Sequence, residues 1–246
     1  MAGALPIVLL HPFPLDARFW DPVAPALGTD RAVIAPDFPG LGQAPPQEAP
    51  SVDGFASAVA ERIADVPGGR AVVCGLSLGG YAALALAARH PERVAALVLA
   101  DTRAEPDTPE AQEGRHAGAR SVREEGPGPF LDGFVPRLVA PGDAASLATA
   151  RAIADEQEPE GIARALEALA GRGDRRPDLP AMDVPALVIV GAEDALTPVP
   201  FSDALVAGLP DAELVVIPGA GHLTALEAPA AFTAAVAGFL ARRVDP

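Results

Sequence analysis

Six short apolar runs alternate with longer helix-forming stretches along this chain, and this alternation restricts its fold more than any other feature. The runs lie near residues 5–10, 31–36, 70–75, 94–100, 185–191 and 213–217. Short apolar runs rich in Val, Ile and Leu favour buried strands. Strands that alternate with helices predict a mostly parallel sheet of about six strands with helices on both faces. The sequence therefore predicts an α/β fold.

The alternation stops between residues 103 and 180, where several charged, helix-forming segments follow one another. Prolines at the starts of these segments and glycines between them are typical of short helices. We expect this part to be a helical cap inserted into a core of residues 1–102 and 181–246. Ordinary packing helices are the alternative interpretation.

The pentapeptide Gly-Leu-Ser-Leu-Gly at 75–79 separates the third apolar run from an alanine-rich helical stretch. Glycines on both sides of Ser77 permit a sharp turn from strand to helix that exposes the serine hydroxyl. Because this pattern arises by chance in a glycine-rich chain, the interpretation depends on partners elsewhere. A nucleophilic serine needs a histidine base and an acid that orients the base. A plain turn serine is the alternative.

Candidates for both partners follow later strands. Asp194 comes after the fifth apolar run, and His222 lies in a glycine-rich loop after the sixth. The carboxyl ends of parallel strands are where open α/β sheets place their sites, and the order serine, acid, histidine is the one that this turn predicts. Glu193 and Asp101 compete with Asp194 as the acid. We predict a catalytic triad of Ser77, Asp194 and His222.

Three further segments carry a family resemblance. They are Leu-Leu-His-Pro-Phe-Pro-Leu-Asp at 9–16, Ala-Pro-Asp-Phe-Pro-Gly-Leu-Gly at 35–42, and Gly-Ala-Gly-His at 219–222, the last followed by Glu-Ala-Pro at 227–229. With the pentapeptide at 75–79, they resemble α/β-hydrolase-fold serine hydrolases of the esterase and enol-lactonase type over nearly the whole chain. The resemblance implies the α/β-hydrolase fold and a helical cap above the serine.

The resemblance also implies an oxyanion hole formed by the backbone N–H groups of Phe13 and Leu78. One departure concerns this loop, because Pro12 stands where the family usually has glycine. Proline has no backbone N–H, so the donor must come from Phe13. We expect His11 to brace the loop and not to act as a base.

The implied activity is hydrolysis of a carboxylic ester or lactone through an acyl-enzyme, without a cofactor. The same groups also suit a cofactor-free haloperoxidase or perhydrolase, or a hydrolase of carbon–carbon bonds. A receptor-like protein that binds a ligand without turnover is the non-enzymatic alternative. Candidate pocket residues are Trp20, Phe130, Phe134 and Leu138, although their spacing is equally compatible with core packing.

Composition disfavours several classes of function. The net charge is −15, and all 18 basic residues are arginines, which disfavours binding to nucleic acids or anionic membranes. The lone Cys74 lies in a predicted buried strand, where packing is its expected role. Four histidines and one cysteine show no metal-ligand spacing, so no metal is expected.

No run is apolar enough to span a bilayer, and the first run does not resemble a signal peptide, so we expect a cytoplasmic enzyme. The natural substrate and the oligomeric state are not predicted.

Overall fold

Six parallel strands form one sheet in the computed structural model, which describes residues 4–48 and 50–245. In chain order they are β1 (Ile7–Leu10), β2 (Val33–Ile34), β3 (Ala71–Leu76), β4 (Val94–Ala100), β5 (Ala186–Gly191) and β6 (Ala212–Ile217). Their spatial order is β2-β1-β3-β4-β5-β6. The predicted α/β class, the number of strands and their parallel direction are confirmed.

The central strands are almost entirely buried. Every residue of β1, β3 and β5 is buried, whereas the edge strand β6 is mostly half-buried. A parallel sheet covered on both faces needs apolar side chains at every position, so its strands have continuous apolar runs and no alternation. This is why the runs in the sequence identified the strands.

Ten α-helices and five 3-10 turns are found in the described residues. The helices are α1 (Ala24–Leu27), α2 (Val52–Ala64), α3 (Leu78–Arg89), α4 (Pro109–Glu125), α5 (Pro127–Phe134), α6 (Ala144–Asp155), α7 (Pro159–Ala170), α8 (Val199–Gly208), α9 (Thr224–Glu227) and α10 (Pro229–Arg243), and the turns are Ala17–Trp20, Pro67–Gly69, Pro91–Arg93, Val135–Leu138 and Leu179–Ala181. Side-chain caps begin three of the helices. Ser51, Thr108 and Asp143 accept hydrogen bonds from N–H groups at the starts of α2, α4 and α6.

Helices pack on both faces of the sheet. The connection from β1 to β2 runs in the opposite direction along the sheet from the connections that lead to β3 and β4. Because parallel crossovers are right-handed, opposite directions place the connecting helices on opposite faces. Accordingly α1 packs with α10, and α2 packs with α3.

Helices α4, α5, α6 and α7 occupy the chain between β4 and β5. Helix α4 packs along α7, and α5 contacts α4 and α6. The start of α7 is pressed against the core, since a Cβ on Gly161 would overlap the carbonyl oxygen of Gly40. The division into a core and a cap at residues 103 and 180 stays a prediction, and residues 1–3, 49 and 246 lie outside the described residues.

The register brings the carboxyl ends of the strands to one edge. Leu10 lies opposite Gly75, and Ala100 lies opposite Ile189. Strands β1 and β3 are neighbours whose following connections leave toward opposite faces, which makes their carboxyl ends a topological switch point. Such a point opens the crevice in which α/β sheets bind ligands.

Candidate active site

Ser77 lies on a strained turn between β3 and α3. Its backbone has φ of 54° and ψ of −110°, a conformation that side chains rarely adopt, and its N–H donates to the carbonyl of Ala100 at 3.0 Å. The turn also needs both glycines, because a Cβ on Gly75 would overlap the backbone of Gly79 and a Cβ on Gly79 would overlap the carbonyl of Leu10. The local sequence thus holds the serine at the sheet edge.

The ring of His222 bridges Ser77 and Asp194. Its Nε2 atom lies 2.8 Å from Ser77 Oγ, and its Nδ1 atom lies 2.9 Å from Asp194 Oδ2. The imidazole is 3% exposed, while Ser77 is half-buried and faces a cavity. The structure therefore brings together all three residues of the predicted triad, in the geometry that proton transfer from serine to histidine requires.

Asp194 is buried and fully hydrogen-bonded. Its Oδ1 atom accepts from the N–H groups of Leu196 at 2.8 Å and Thr197 at 3.0 Å, and its Oδ2 atom accepts from the Thr197 hydroxyl at 2.6 Å. Burial alone would raise the pKa of this carboxyl, but the adjacent His222 and the bonds from Thr197 lower it to about 2. The group is thus a carboxylate at neutral pH, oriented toward the imidazole.

Asp101 and Glu193, the competing acids, are placed differently. Asp101 is fully buried, and its carboxyl accepts from Gly191 N–H at 2.9 Å and from both the N–H and the hydroxyl of Thr224. Burial, together with the nearby charge of Asp194, raises its pKa well above the ordinary value. Glu193 is exposed. Asp101 therefore ties the ends of two strands to α9, and among the described residues neither carboxyl forms a hydrogen bond to the histidine.

The two predicted oxyanion donors follow the neighbouring strands β1 and β3, at the sheet edge that holds Ser77. Phe13 lies in the loop after β1, and Leu78 is the first residue of α3, where a helix leaves its N–H groups without internal partners. Among the described residues, neither N–H donates to another protein group. Both N–H groups are thus without an acceptor in the described residues, as an oxyanion donor requires.

His11 fixes the loop that carries Phe13. Its Nδ1 atom donates to the carbonyl of Pro12 at 3.0 Å, and its Nε2 atom accepts from the N–H of Phe38 at 3.0 Å. Complete burial lowers the pKa of this imidazole, because burial penalises the charged form. A neutral ring with one donor and one acceptor suits both partners, so His11 braces the loop between two backbone segments.

Glu227 holds the loop that carries His222, and its role was not predicted. Its Oε2 atom accepts from the N–H groups of Ala140 at 2.7 Å and Gly221 at 2.9 Å, while Oε1 accepts from Leu223 N–H at 2.9 Å. The two loop residues that flank the histidine are thus fixed by a single carboxylate. The only sequence signal was its position five residues after His222, within the family-like segment.

A cavity of about 380 Å³ opens next to Ser77 and His222. Its lining includes the aromatic rings of Phe13, Tyr81, Phe130 and Phe134. Phe130 stacks on Phe134 at 5.3 Å between ring centroids, and Phe13 lies 5.6 Å from Phe134. The rings of Phe130 and Phe134 come from α5, so helices of residues 109–170 form part of the cavity wall. The structure thus places two of the four candidate pocket residues at the cavity.

Trp20 and Leu138 do not line this cavity, and the pocket role predicted for them is corrected. Trp20 is fully buried and packs against Phe19 and Phe232, with centroid distances of 4.8 and 5.9 Å. Leu138 is 1% exposed, and its contribution to the site is a carbonyl that accepts from His222 N–H at 3.1 Å. Helical spacing of apolar residues did not distinguish the core from the pocket, because both need such residues.

Sequence reasoning also missed three arginines at the cavity, Arg103, Arg115 and Arg137. Arginine side chains usually face solvent, so only the tertiary structure shows that these three line the cavity.

Cys74 is fully buried, and burial raises the pKa of its thiol. In residues 4–48 and 50–245, no group of His, Cys, Asp and Glu side chains is arranged to hold a metal ion. No helix in that part of the chain combines the length and apolarity needed to cross a membrane.

Comparison with known proteins gives matches over nearly the whole chain. The sequence matches the model of the alpha/beta hydrolase family over residues 7–236. A pimeloyl-[acyl-carrier protein] methyl ester esterase from Aromatoleum aromaticum is 34% identical to this chain over 239 aligned positions, which cover 91% of this chain and 93% of the esterase.

Two solved structures are similar over nearly the whole fold. A thermophilic esterase from Thermogutta terrifontis superposes with a TM-score of 0.92 at 35% identity and covers 98% of this chain and 91% of its own. An enol-lactonase from Burkholderia xenovorans gives a TM-score of 0.89 at 31% identity, with 98% of this chain and 92% of the lactonase covered.

Proposed function

The chain belongs to the α/β hydrolase family, and from this premise we propose how it works as a carboxylic ester hydrolase: Ser77 attacks the carbonyl carbon of an ester or lactone. The observation that carries the proposal is the position of the His222 ring, 2.8 Å from Ser77 Oγ and 2.9 Å from Asp194 Oδ2. Similar proteins named as a methyl ester esterase and an enol-lactonase support the choice of substrate class.

In the first half of the reaction, His222 Nε2 accepts the Ser77 proton while Oγ bonds to the carbonyl carbon. The carbonyl oxygen becomes an oxyanion, which the N–H groups of Phe13 and Leu78 stabilise. Asp194 stabilises the imidazolium and keeps its Nδ1–H in place. When the tetrahedral intermediate collapses, the imidazolium protonates the leaving alkoxide, and the acyl group remains on Ser77.

In the second half, water replaces the alcohol. His222 removes a proton from water, the hydroxide attacks the acyl carbon, and the same two N–H groups hold the second oxyanion. Collapse releases the carboxylic acid and returns the proton to Ser77 Oγ. With a lactone, the alcohol and the acid are parts of one molecule, so the product is a hydroxy acid.

We further propose that residues 103–180 act as a cap above this site. Phe130 and Phe134 from α5 and Leu166 and Leu169 from α7 line the cavity, which supports the assignment. The cap is attached next to the oxyanion loop. Gln157, between α6 and α7, donates to Asp16 at 2.8 Å and accepts from Gly42 N–H at 2.8 Å. A cap fixed in this way leaves its side chains to select the acyl or alcohol group.

Substitution of Ser77 tests the proposal. Ser77→Ala should lower kcat for p-nitrophenyl acetate by about 10⁴-fold or more and abolish labelling by a fluorophosphonate, since no other group replaces the nucleophile. Ser57→Ala is the matched control, because Ser57 lies on α2 outside the cavity and its hydroxyl bonds to the Asp53 carbonyl and to the His90 ring. Retention of most of the esterase activity in Ser77→Ala would reject the nucleophile, and a wild-type protein without turnover would favour the receptor-like alternative.

A further inference from the structure

The cavity beside Ser77 has an excess of positive charge. Arg103, Arg115 and Arg137 line it, and Asp107 is the only carboxylate among the described lining residues. The whole chain has the opposite balance, with 33 acidic and 18 basic residues. Positive charge at this one place is therefore a local property of the cavity and not a consequence of composition.

Asp107 cannot neutralise this charge, because three arginines already share it. Its carboxylate contacts Arg103 Nη2 at 2.8 Å, Arg172 Nη1 at 2.8 Å and Arg115 Nε. Burial would raise the pKa of Asp107, but the hydrogen bonds from Arg115 and Arg172 hold it below its ordinary value. The carboxylate thus remains charged, and one negative charge faces three guanidinium groups.

Two of the arginines keep donors without partners. The Nε–H of Arg103 is buried and has no hydrogen-bond partner, and its guanidinium lies over the ring of Phe201 at 5.1 Å, which fixes its orientation. Arg137, in the turn beside the His222 loop, forms no ion pair with any described residue. The Nε–H of Arg103 is enclosed by protein, whereas Arg137 is exposed and its guanidinium can pair with an anionic ligand in the cavity.

Much of the remaining wall of the cavity is apolar. It includes the rings of Phe13, Phe130 and Phe134 and the side chains of Leu166, Leu169 and Leu196, together with Tyr81 and Thr197. A volume of about 380 Å³ is at the small end of ligand pockets and suits a compact substrate. The combination fits a short apolar chain with a carbonyl at one end and an anion at the other.

We propose that the preferred substrates are esters or lactones that carry a carboxylate remote from the scissile carbonyl, with Arg103, Arg115 and Arg137 as the binding residues for that carboxylate. This inference rests on the proposed hydrolase function. A guanidinium presents paired N–H donors that match both oxygens of a carboxylate, which makes arginine the suitable residue for this role.

A pair of substrates that differ only in charge provides the kinetic test. Mono-p-nitrophenyl adipate carries the remote carboxylate, and its methyl-capped diester has the same leaving group without the charge. We expect kcat/KM of the wild type to favour the anionic ester by about tenfold or more, as expected for charge-assisted hydrogen bonds. That ratio should fall toward one in Arg115→Gln and in Arg137→Gln.

Arg120→Gln is the matched control. Arg120 lies on α4 like Arg115, but it is exposed and pairs with Glu113 at 2.7 Å outside the cavity. The Arg120→Gln variant should show the wild-type ratio of kcat/KM between the anionic ester and the methyl-capped ester. A wild-type ratio near one, or a high ratio that persists in both cavity variants, would overturn the proposal while leaving the hydrolase function intact.

A binding measurement separates this proposal from the catalytic one. Calorimetric titration of the Ser77→Ala protein with monomethyl adipate and with dimethyl adipate needs no turnover. The monoester should bind about tenfold more tightly or better, and a second change, Arg137→Gln, should remove that difference. Equal affinities would refute the carboxylate site, whereas an absence of ester hydrolysis by the wild type would refute only the proposed function.

Discussion

Replacement of Glu227 with glutamine should destabilise the His222 loop. The carboxylate of Glu227 accepts three backbone N–H bonds, from Ala140 at 2.7 Å and from Gly221 and Leu223 at 2.9 Å each. Glutamine has the same shape but only one acceptor oxygen. In its better orientation, it accepts from two of the N–H groups and turns its own NH₂ toward the third.

The size of the effect follows from these contacts. A hydrogen bond to a charged acceptor contributes about 1.5–3 kcal/mol, a neutral one contributes about 0.5–1.5 kcal/mol, and a buried donor without a partner costs about 1–3 kcal/mol. Glu227 is half-buried, so water recovers part of the loss. We therefore expect Glu227→Gln to reduce the free energy of unfolding by about 2–3 kcal/mol. A displacement of the imidazole of about 1 Å would also lower kcat by about 10²-fold.

Urea unfolding and esterase kinetics measure both quantities on the same samples. Glu193→Gln is the control, because Glu193 is exposed and precedes Asp194 in the neighbouring loop. That variant should be within about 0.5 kcal/mol of the wild type, as expected for a surface change. If Glu227→Gln were as stable and as active as the control, the loop would not depend on this carboxylate and the reasoning would be wrong.

Three further predictions concern the acid and the pocket. Asp194→Asn should lower kcat by about 10³-fold or more, whereas Asp101→Asn should lower it by less than about tenfold because the Asp101 carboxyl bonds to Gly191 and Thr224 and not to the imidazole; the opposite order would move the acid to Asp101. Between pH 4 and pH 2, the wild type should lose about 2 kcal/mol more unfolding free energy than Asp194→Asn. The reason is that a carboxylate with a folded pKa of about 2 and an unfolded value of 3.8 stabilises the protein only while it is ionised. If urea unfolding at these two pH values showed the same loss of unfolding free energy in both proteins, the prediction would be wrong. The pKa of Asp101 is raised in the folded protein, so the effect of its ionisation on the free energy of unfolding is opposite to that of Asp194: it should destabilise the protein as the pH rises. Phe134→Ala should change the ratio of kcat/KM between short and bulky esters by about 1–3 kcal/mol with little change in Tm, whereas an unchanged ratio with a large loss of Tm would place this ring in the core.

Strand positions were predictable because local chemistry determines them. A strand buried on both faces needs an uninterrupted apolar run, and all six runs became strands of one parallel sheet. The positions of Ser77, Asp194 and His222 relative to strand ends followed from the same reasoning, since parallel strands share one carboxyl edge. The pentapeptide at 75–79 added the turn, because its glycines are required by close backbone contacts.

Choices between similar residues left alternatives that only the tertiary structure separates. Asp101 and Asp194 both follow strands, and only the hydrogen bonds in three dimensions show which one faces the imidazole. Trp20 and Phe134 are both aromatic residues in apolar segments, yet one is sealed in the core and the other faces the cavity. Arg115 also depends on tertiary packing, because its position at the cavity follows from how α4 lies on α7.

Detection of the acyl-enzyme tests the central claim most directly. The protein is mixed with excess p-nitrophenyl acetate, quenched in acid within the first turnovers, and analysed by intact-mass and peptide mass spectrometry. We expect a single added acetyl group, located in the peptide that contains Ser77 and absent from Ser77→Ala. Turnover by the wild type without any adduct, or an adduct on another residue, would contradict covalent catalysis by Ser77.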